Sequence, residues 1–212
     1  MTRLSAVGAG MIPLCDGAWL LKGFLLKYEQ ALLQNLERLT EHSPFRHMVT
    51  PGGYRMSVSM TNCGPRGWVT DERGYRYSET DPVTGRAWPD MPALFSQLAQ
   101  QAASEAGYSD FCPDACLINR YVPGAKLSLH QDKDEQDFTH PIVSFSLGLP
   151  ATFDFGGRTR RAPVTPYMLE HGDVVVWGGP SRLFYHGIRA LKKGHHAQMG
   201  SQRINLTFRC AH

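Results

Sequence analysis

Apolar side chains recur along this chain with two different periods. Over residues 25–39 the step is three or four: Leu25, Leu32, Leu36 and Leu39 form a stripe while Lys27, Glu29, Gln30 and Arg38 lie off it, which predicts an amphipathic helix. A second helix is predicted over 92–106, with Pro92 in its first turn, Leu94, Phe95, Leu98 and Ala102 as its stripe, and Gly107 as its terminator. From residue 115 onward the period shortens. Strands are expected at 116–121, 126–130, 142–147, 152–155, 167–169, 174–177, 183–186 and 204–208, separated by Pro123-Gly124, Gly156-Gly157, His171-Gly172-Asp173 and Gly178-Gly179-Pro180. Many short strands with turn chemistry between them read as a double-sheet jelly roll or barrel.

Between the helices, residues 44–88 are rich in Gly, Pro, Tyr and Arg. A short alternating stretch there, Met56-Ser57-Val58-Ser59-Met60, predicts one strand within a small, partly mobile β-rich insertion. At 212 residues the chain suits one domain. The expected division is a helical N-terminal extension over 1–43, the insertion over 44–90, and a helix plus β core over 91–212.

Composition narrows the class without choosing a partner. The longest apolar stretch, Ala18 to Leu21 resuming at Phe24 to Leu26, is broken by Lys22 and is far shorter than the ~20 residues of a membrane helix. With no secretory signal evident, a soluble, cytoplasmic monomer that engages no membrane is expected. Five scattered cysteines lack the spacing of a structural zinc site, so they read as reduced thiols. A net charge of +3 is compatible with a nucleic-acid partner but does not require one.

The chemistry lies in a His-Gln-Asp triplet, His130 and Asp132, and a later histidine, His186, in Phe-Tyr-His-Gly. Two imidazoles and a carboxylate on one side of a metal leave the other side open, as in non-haem Fe(II) oxygenases. Strand alternation places Leu127 and Leu129 on one face and Ser128 and His130 on the other. A rival triplet, His171-Gly172-Asp173, sits at a turn entering an apolar strand, where a structural role is expected. Near the C-terminus, alternation directs Arg203, Asn205, Thr207 and Arg209 to one face and Ile204, Leu206 and Phe208 to the other. Arginines turned into an interior call for an anion, and a guanidinium fork suits a carboxylate.

These motifs resemble those of the AlkB family of Fe(II)- and 2-oxoglutarate-dependent dioxygenases, which repair alkylated nucleic acids. The resemblance runs through Met48-Val49-Thr50-Pro51-Gly52-Gly53-Tyr54, Thr61-Asn62-Cys63-Gly64, and residues 113–121, 123–134, 170–179, 181–188 and 205–209. It implies a mainly β fold with flanking helices, a double-stranded β-helix core, and a nucleotide-recognition lid made from the insertion. His130, Asp132 and His186 would bind iron and carry catalysis. Arg203 would hold the distal carboxylate of 2-oxoglutarate with Tyr121 and Asn205, Arg209 and Asn119 would lie near its chelating end, and Leu127 and Ser144 would line that pocket. On the substrate side, Trp68 and His130 would sandwich the damaged base, Asp134 would meet its exocyclic nitrogen, and Thr50, Met60, Tyr75 and Arg160 would sit near the nucleotide. The implied reaction consumes 2-oxoglutarate and O2, gives succinate and CO2, and releases an N-methyl group of a 1-methyladenine or 3-methylcytosine type base as formaldehyde. Single-stranded DNA is the implied partner, with double-stranded DNA and RNA left open. Two alternatives stand beside this: a 2-oxoglutarate-dependent hydroxylase of a protein or small molecule, and a catalytically silent nucleic-acid-binding barrel.

Overall fold

Strands dominate residues 10–212, the part of the chain that the computed structural model describes. In chain order the elements are β1 (Met11–Cys15), β2 (Ala18–Leu21), α1 (Glu29–His42, entered through a 3-10 turn at Leu26–Tyr28), β3 (Arg46–Val49), β4 (Arg55–Cys63), β5 (Gly67–Asp71), β6 (Gly74–Ser78), α2 (Ala93–Glu105), β7 (Ala115–Tyr121), β8 (Leu127–His130), β9 (Ile142–Gly148), β10 (Ala151–Phe155), β11 (Thr165–Leu169), β12 (Val174–Trp177), β13 (His186–Ile188) and β14 (Arg203–Arg209).

Eight strands form one antiparallel sheet in the order β1-β2-β12-β9-β14-β7-β4-β3, and four form a second, β11-β10-β13-β8. The large sheet is buried on both faces because it packs on both. Val143, Phe145, Ile204, Leu206 and Phe208 meet Leu32, Leu36, Phe95 and Leu98 of the two helices. Residues of the opposite phase, such as Leu117, Tyr121, Val175 and Trp177, pack with Phe153, Phe155 and Ile188 of the small sheet. Period-two alternation thus gives each strand one side for the helix layer and one for the space between the sheets.

Four expectations need correction. Of the helical extension over 1–43, residues 1–9 lie outside the described residues, and residues 10–21 hold the hairpin β1–β2. Ala18 to Leu21 pair with Trp177 to Val174, and four apolar residues in a row suit a strand covered on both faces. Helix α1 begins at Glu29 and runs to His42, past the predicted 25–39. The region 44–90 is not one insertion, because β3 and β4 extend the large sheet beside β7, and only β5–β6 stands apart as a two-stranded hairpin. The strand expected over 183–186 instead begins at His186. The backbone N–H groups of Phe184 and Tyr185 go to Ser181 and Gly157, which holds them in loops outside the ladder.

Candidate active site and metal centre

Strand pairing brings the two histidines together. His130 closes β8 and His186 opens β13, and they are direct partners across that ladder, with ring centroids 4.4 Å apart. A register shift separates this pair from the Leu127–Ile188 pair. Simple alternation would place Leu127 and His130 on opposite faces, yet across the irregular ladder both line the cavity. Gly187 makes this close approach feasible, since a Cβ there would lie 2.7 Å from the Leu127 carbonyl oxygen.

Asp132 follows two residues after His130. Its Oδ1 is 3.6 Å from His130 Nε2 and its Oδ2 is 3.8 Å from His186 Nε2. Arg209 donates Nε and Nη2 to Asp132 Oδ2 at 3.0 and 2.8 Å, leaving Oδ1 without a guanidinium. Burial alone would raise the pKa of this carboxyl, but the Arg209 guanidinium beside it outweighs burial and holds the group ionised, well below the usual carboxylate range. His186, buried and beside His130, is pushed down to about 4 and is neutral at physiological pH.

The tautomers complete the donor set. Nδ1 of His130 lies 2.9 Å from the Ser128 carbonyl and Nδ1 of His186 lies 3.0 Å from that of Phe184. A carbonyl accepts only, so each Nδ1 carries the proton and each Nε2 presents a lone pair toward Asp132. Three ligand atoms within 4.8 Å of one another, from two imidazoles and one carboxylate, fit a divalent metal.

A second cluster, Glu29, His171 and His196, has similar spacing. Its chemistry differs. His171 Nδ1 accepts from the backbone N–H of Gly148 at 2.8 Å, and His196 Nδ1 accepts from Gln198 and Met199, both at 3.3 Å. With Nδ1 serving as acceptor, the neutral ring carries its proton on Nε2, the atom that would have to ligate. Asp173, the other half of the rival triplet, accepts from Lys22 and from the backbone N–H groups of Gly23 and Glu170. Both residues brace the turn into β12.

A cavity of about 520 Å³ lies over the first cluster. All sixteen residues singled out from the sequence line it: His130, Asp132 and His186; Asn119, Tyr121, Leu127, Ser144, Arg203, Asn205 and Arg209; Thr50, Met60, Trp68, Tyr75, Asp134 and Arg160. Its floor comes from β7, β9 and β14, where register sets Arg203 opposite Tyr121, Asn205 opposite Asn119, and Thr207 opposite Ser144. Asn205 donates to Ser144 Oγ and the Phe145 carbonyl, and its own Oδ1 accepts from Asn119 and Thr207. Arg203 is only 1% exposed, yet apart from one bond from Nη2 to Ser146 Oγ its guanidinium is idle, with Nε and Nη1 unpartnered. Burial lowers its pKa to about 10, so the group remains charged and lacks an anion. Arg209 Nη1 is likewise unpartnered.

The outer wall is the β5–β6 hairpin. Asn62 pins its root by exchanging two hydrogen bonds with the Trp68 backbone. Gly67 is required there because a Cβ would sit 2.4 Å from the Trp88 ring. Trp68 stacks on Tyr75 with centroids 5.7 Å apart and donates Nε1 to Asp134 Oδ2 at 2.8 Å. Arg160 donates to the Leu129 carbonyl at 2.6 Å with its guanidinium over Tyr185. Sequence reasoning missed Trp177, whose ring packs 4.9 Å from His186, and Lys126 and Arg55 in the cavity lining. Alternation with Val175 was the available signal for Trp177; the two cations offered none.

The model of the 2OG-Fe(II) oxygenase superfamily matches residues 17–209. The chain is 59% identical to the alpha-ketoglutarate-dependent dioxygenase AlkB of Salmonella typhimurium, over 94% of this chain and 92% of that protein. It is 60% identical to the protein of the same name from Escherichia coli, with the same coverage. Among solved structures it is similar to that of OsALKBH1, with a TM-score of 0.82 at 31% identity, covering 94% of this chain and 99% of the other.

Proposed function

Because the chain belongs to the 2OG-Fe(II) oxygenase superfamily, we propose that His130, Asp132 and His186 hold its Fe(II) and that the polar floor around Arg203 holds 2-oxoglutarate. The protein is an Fe(II)- and 2-oxoglutarate-dependent dioxygenase that oxidatively demethylates alkylated nucleic acids, using O2. The observation that carries the site assignment is the fully buried Arg203 guanidinium with two idle donors, in the same cavity as the His-Asp-His cluster. A dicarboxylate that reaches from Arg203 to the metal resolves that unpaired charge.

When bound, Fe(II) with 2-oxoglutarate and O2 would supply the oxidation: one oxygen atom would end in succinate as CO2 is lost, and the other would give an N-hydroxymethyl group, which would leave as formaldehyde and a proton and return the ring nitrogen its lone pair. The protein's residues do the placing. Arg203 receives the distal carboxylate with Tyr121 and Asn205 beside it. Asn119 and Arg209 lie toward the chelating end, with Leu127 and Ser144 as walls. Arg209 also fixes Asp132 so that its Oδ1 faces the metal position.

A base must leave the stack to reach this depth, which makes single strands the least costly substrate. We assign Trp68 to stack on that base opposite His130, base stacking being worth ~1–3 kcal/mol. Asp134, with Oδ2 taken by the indole, offers Oδ1 to an exocyclic amine. A carboxylate there favours cationic bases of the 1-methyladenine and 3-methylcytosine type in DNA, and in RNA where strand geometry permits. Thr50, Met60, Tyr75 and Arg160 flank the nucleotide. We take residues 1–212 as one catalytic domain built on a double-stranded β-helix and acting as a monomer in the cytoplasm. Five unpaired cysteines agree with a reducing compartment, and among the described residues no helix is long and apolar enough to cross a membrane.

Anaerobic titration with Fe(II) and then 2-oxoglutarate tests the site. A metal-to-ligand charge-transfer band that develops with the wild type and is lost in Arg203→Ala supports it. A wild type without the band returns the reading to a silent nucleic-acid-binding barrel.

A further inference from the structure

Glu135 ends the run Asp132-Lys133-Asp134-Glu135, whose composition suggests a solvated face, yet its side chain is 1% exposed. Its Oε1 accepts the hydroxyl of Tyr77, in β6, at 2.5 Å. Its Oε2 accepts from Arg182 Nη2 at 3.0 Å, and Arg182 Nη1 donates to the backbone carbonyl of Asp132 at 2.8 Å. Arg209 Nε is shared, 3.0 Å from Asp132 Oδ2 and 3.4 Å from Glu135 Oε1. Two guanidinium groups and two carboxylates therefore form one buried, charge-balanced chain. One end is the metal-facing carboxylate and the other is a hydroxyl on the hairpin.

That hairpin shares no ladder with either large sheet, so side chains seat it. It carries Trp68 and Tyr75 over the cavity. We propose that Tyr77 and Glu135 are positioning residues that couple the seating of the β5–β6 hairpin to the orientation of the Asp132 carboxylate. When the hairpin is seated, the Tyr77 hydroxyl satisfies one lone pair of Glu135, and Arg209 spends its Nε and Nη2 on Asp132 Oδ2. When it lifts, Glu135 loses that donor and draws on the shared Arg209 Nε, and Asp132 Oδ2 loses part of its anchor. The metal centre is then fully formed only under a closed wall, which protects against consuming 2-oxoglutarate with no base in place. The inference rests on Asp132 being a metal ligand.

Tyr77→Phe removes one oxygen and preserves the ring, so it tests the coupling with little risk to folding. Co(II) is the probe metal, read by affinity and by its visible absorption. Tyr167→Phe is the control: it removes the hydrogen bond from another tyrosine hydroxyl, to the Leu14 carbonyl, without touching the hairpin or the charged chain. Tyr77→Phe should weaken Co(II) binding about tenfold, as loss of outer-shell support commonly does, alter the Co(II) spectrum, and raise the ratio of succinate to formaldehyde in the iron enzyme. Glu135→Gln should shift all three the same way, while Tyr167→Phe leaves the Co(II) spectrum at wild type. A Tyr77→Phe protein whose Co(II) affinity and spectrum match wild type, even with a lowered melting temperature, overturns the coupling. Failure of the underlying metal reading is separately visible, as a wild type that binds Co(II) no better than His130→Ala.

Discussion

Asp132 pairs with Arg209 in a buried site and belongs to the cluster proposed to hold the metal. Asp132→Ala should abolish demethylation and metal binding, and it should also leave the Arg209 charge without its closest anion. Breaking a buried pair from one side costs about 3–5 kcal/mol, so the metal-free variant should unfold at clearly lower urea concentration. A variant as stable as wild type would mean that Arg209 has other compensation. Arg203→Lys keeps the charge but loses the fork. Hydrogen bonds to charged groups contribute about 1.5–3 kcal/mol, so the KM for 2-oxoglutarate should rise about ten- to a hundredfold while kcat at saturation changes less. An unchanged KM would move the distal carboxylate elsewhere. Asp132 was legible in the sequence from its His-Gln-Asp spacing, and Arg203 because alternation along β14 separates polar from apolar positions cleanly. Glu135, Arg182 and Tyr77 were not, because their contacts span 47 and 58 residues of chain and each taken alone reads as a surface group.

At the level of elements, the metal cluster depends on the pairing of β8 with β13, and that pairing depends on Gly187. A methyl group on Gly187 would meet the Leu127 carbonyl oxygen at 2.7 Å and the Leu129 nitrogen at 3.1 Å, both backbone. Gly187→Ala should cost about 1–3 kcal/mol, as overpacking does, and should weaken metal binding by spreading His130 from His186. A normal melting temperature with intact metal affinity would show that β8 can retreat freely. The turn before β12 makes a different prediction. Burial, and then the neighbouring His196, lower the pKa of His171 below 6.5. As pH falls through that value the unfolded chain takes up a proton that the folded chain resists, so this contribution is present above about pH 6.5 and fades on acidification. Between pH 7.5 and 5.5 the wild type should lose more of its melting temperature than His171→Gln; equal losses would show that His171 does not contribute. The strands that the sequence revealed either alternate apolar with polar positions or, like Val174 to Trp177, are apolar runs closely bracketed by turn signals. The hairpin β1–β2 was missed because Ala18 to Leu21 are apolar throughout and Pro13 interrupts its partner. Strand β13 was misplaced because Leu183-Phe184-Tyr185 has strand composition but the N–H groups of Phe184 and Tyr185 go to loops.

For the molecule as a whole, the large sheet packs its apolar phase on two helices, and its polar phase forms the floor of a cavity closed by the small sheet and the hairpin. The fold class could be read from the spacing of strands and turns, because many short strands in one domain have few ways to bury their faces. The division of residues 44–90 between sheet and hairpin could not, because edge strands and free hairpins share the same composition. The central claim is that one cavity joins the oxidation of 2-oxoglutarate to removal of a methyl group from a base. The most direct measurement is a mass balance: the iron-loaded protein, 2-oxoglutarate, limiting O2 and a single-stranded DNA oligonucleotide carrying one 1-methyladenine, with succinate, formaldehyde and repaired base quantified together. The account predicts near-equal amounts of all three, and all three lost in His130→Ala. Succinate that accumulates while the methyl group stays on the base would contradict it, and would direct the oxidation to a protein or small molecule instead.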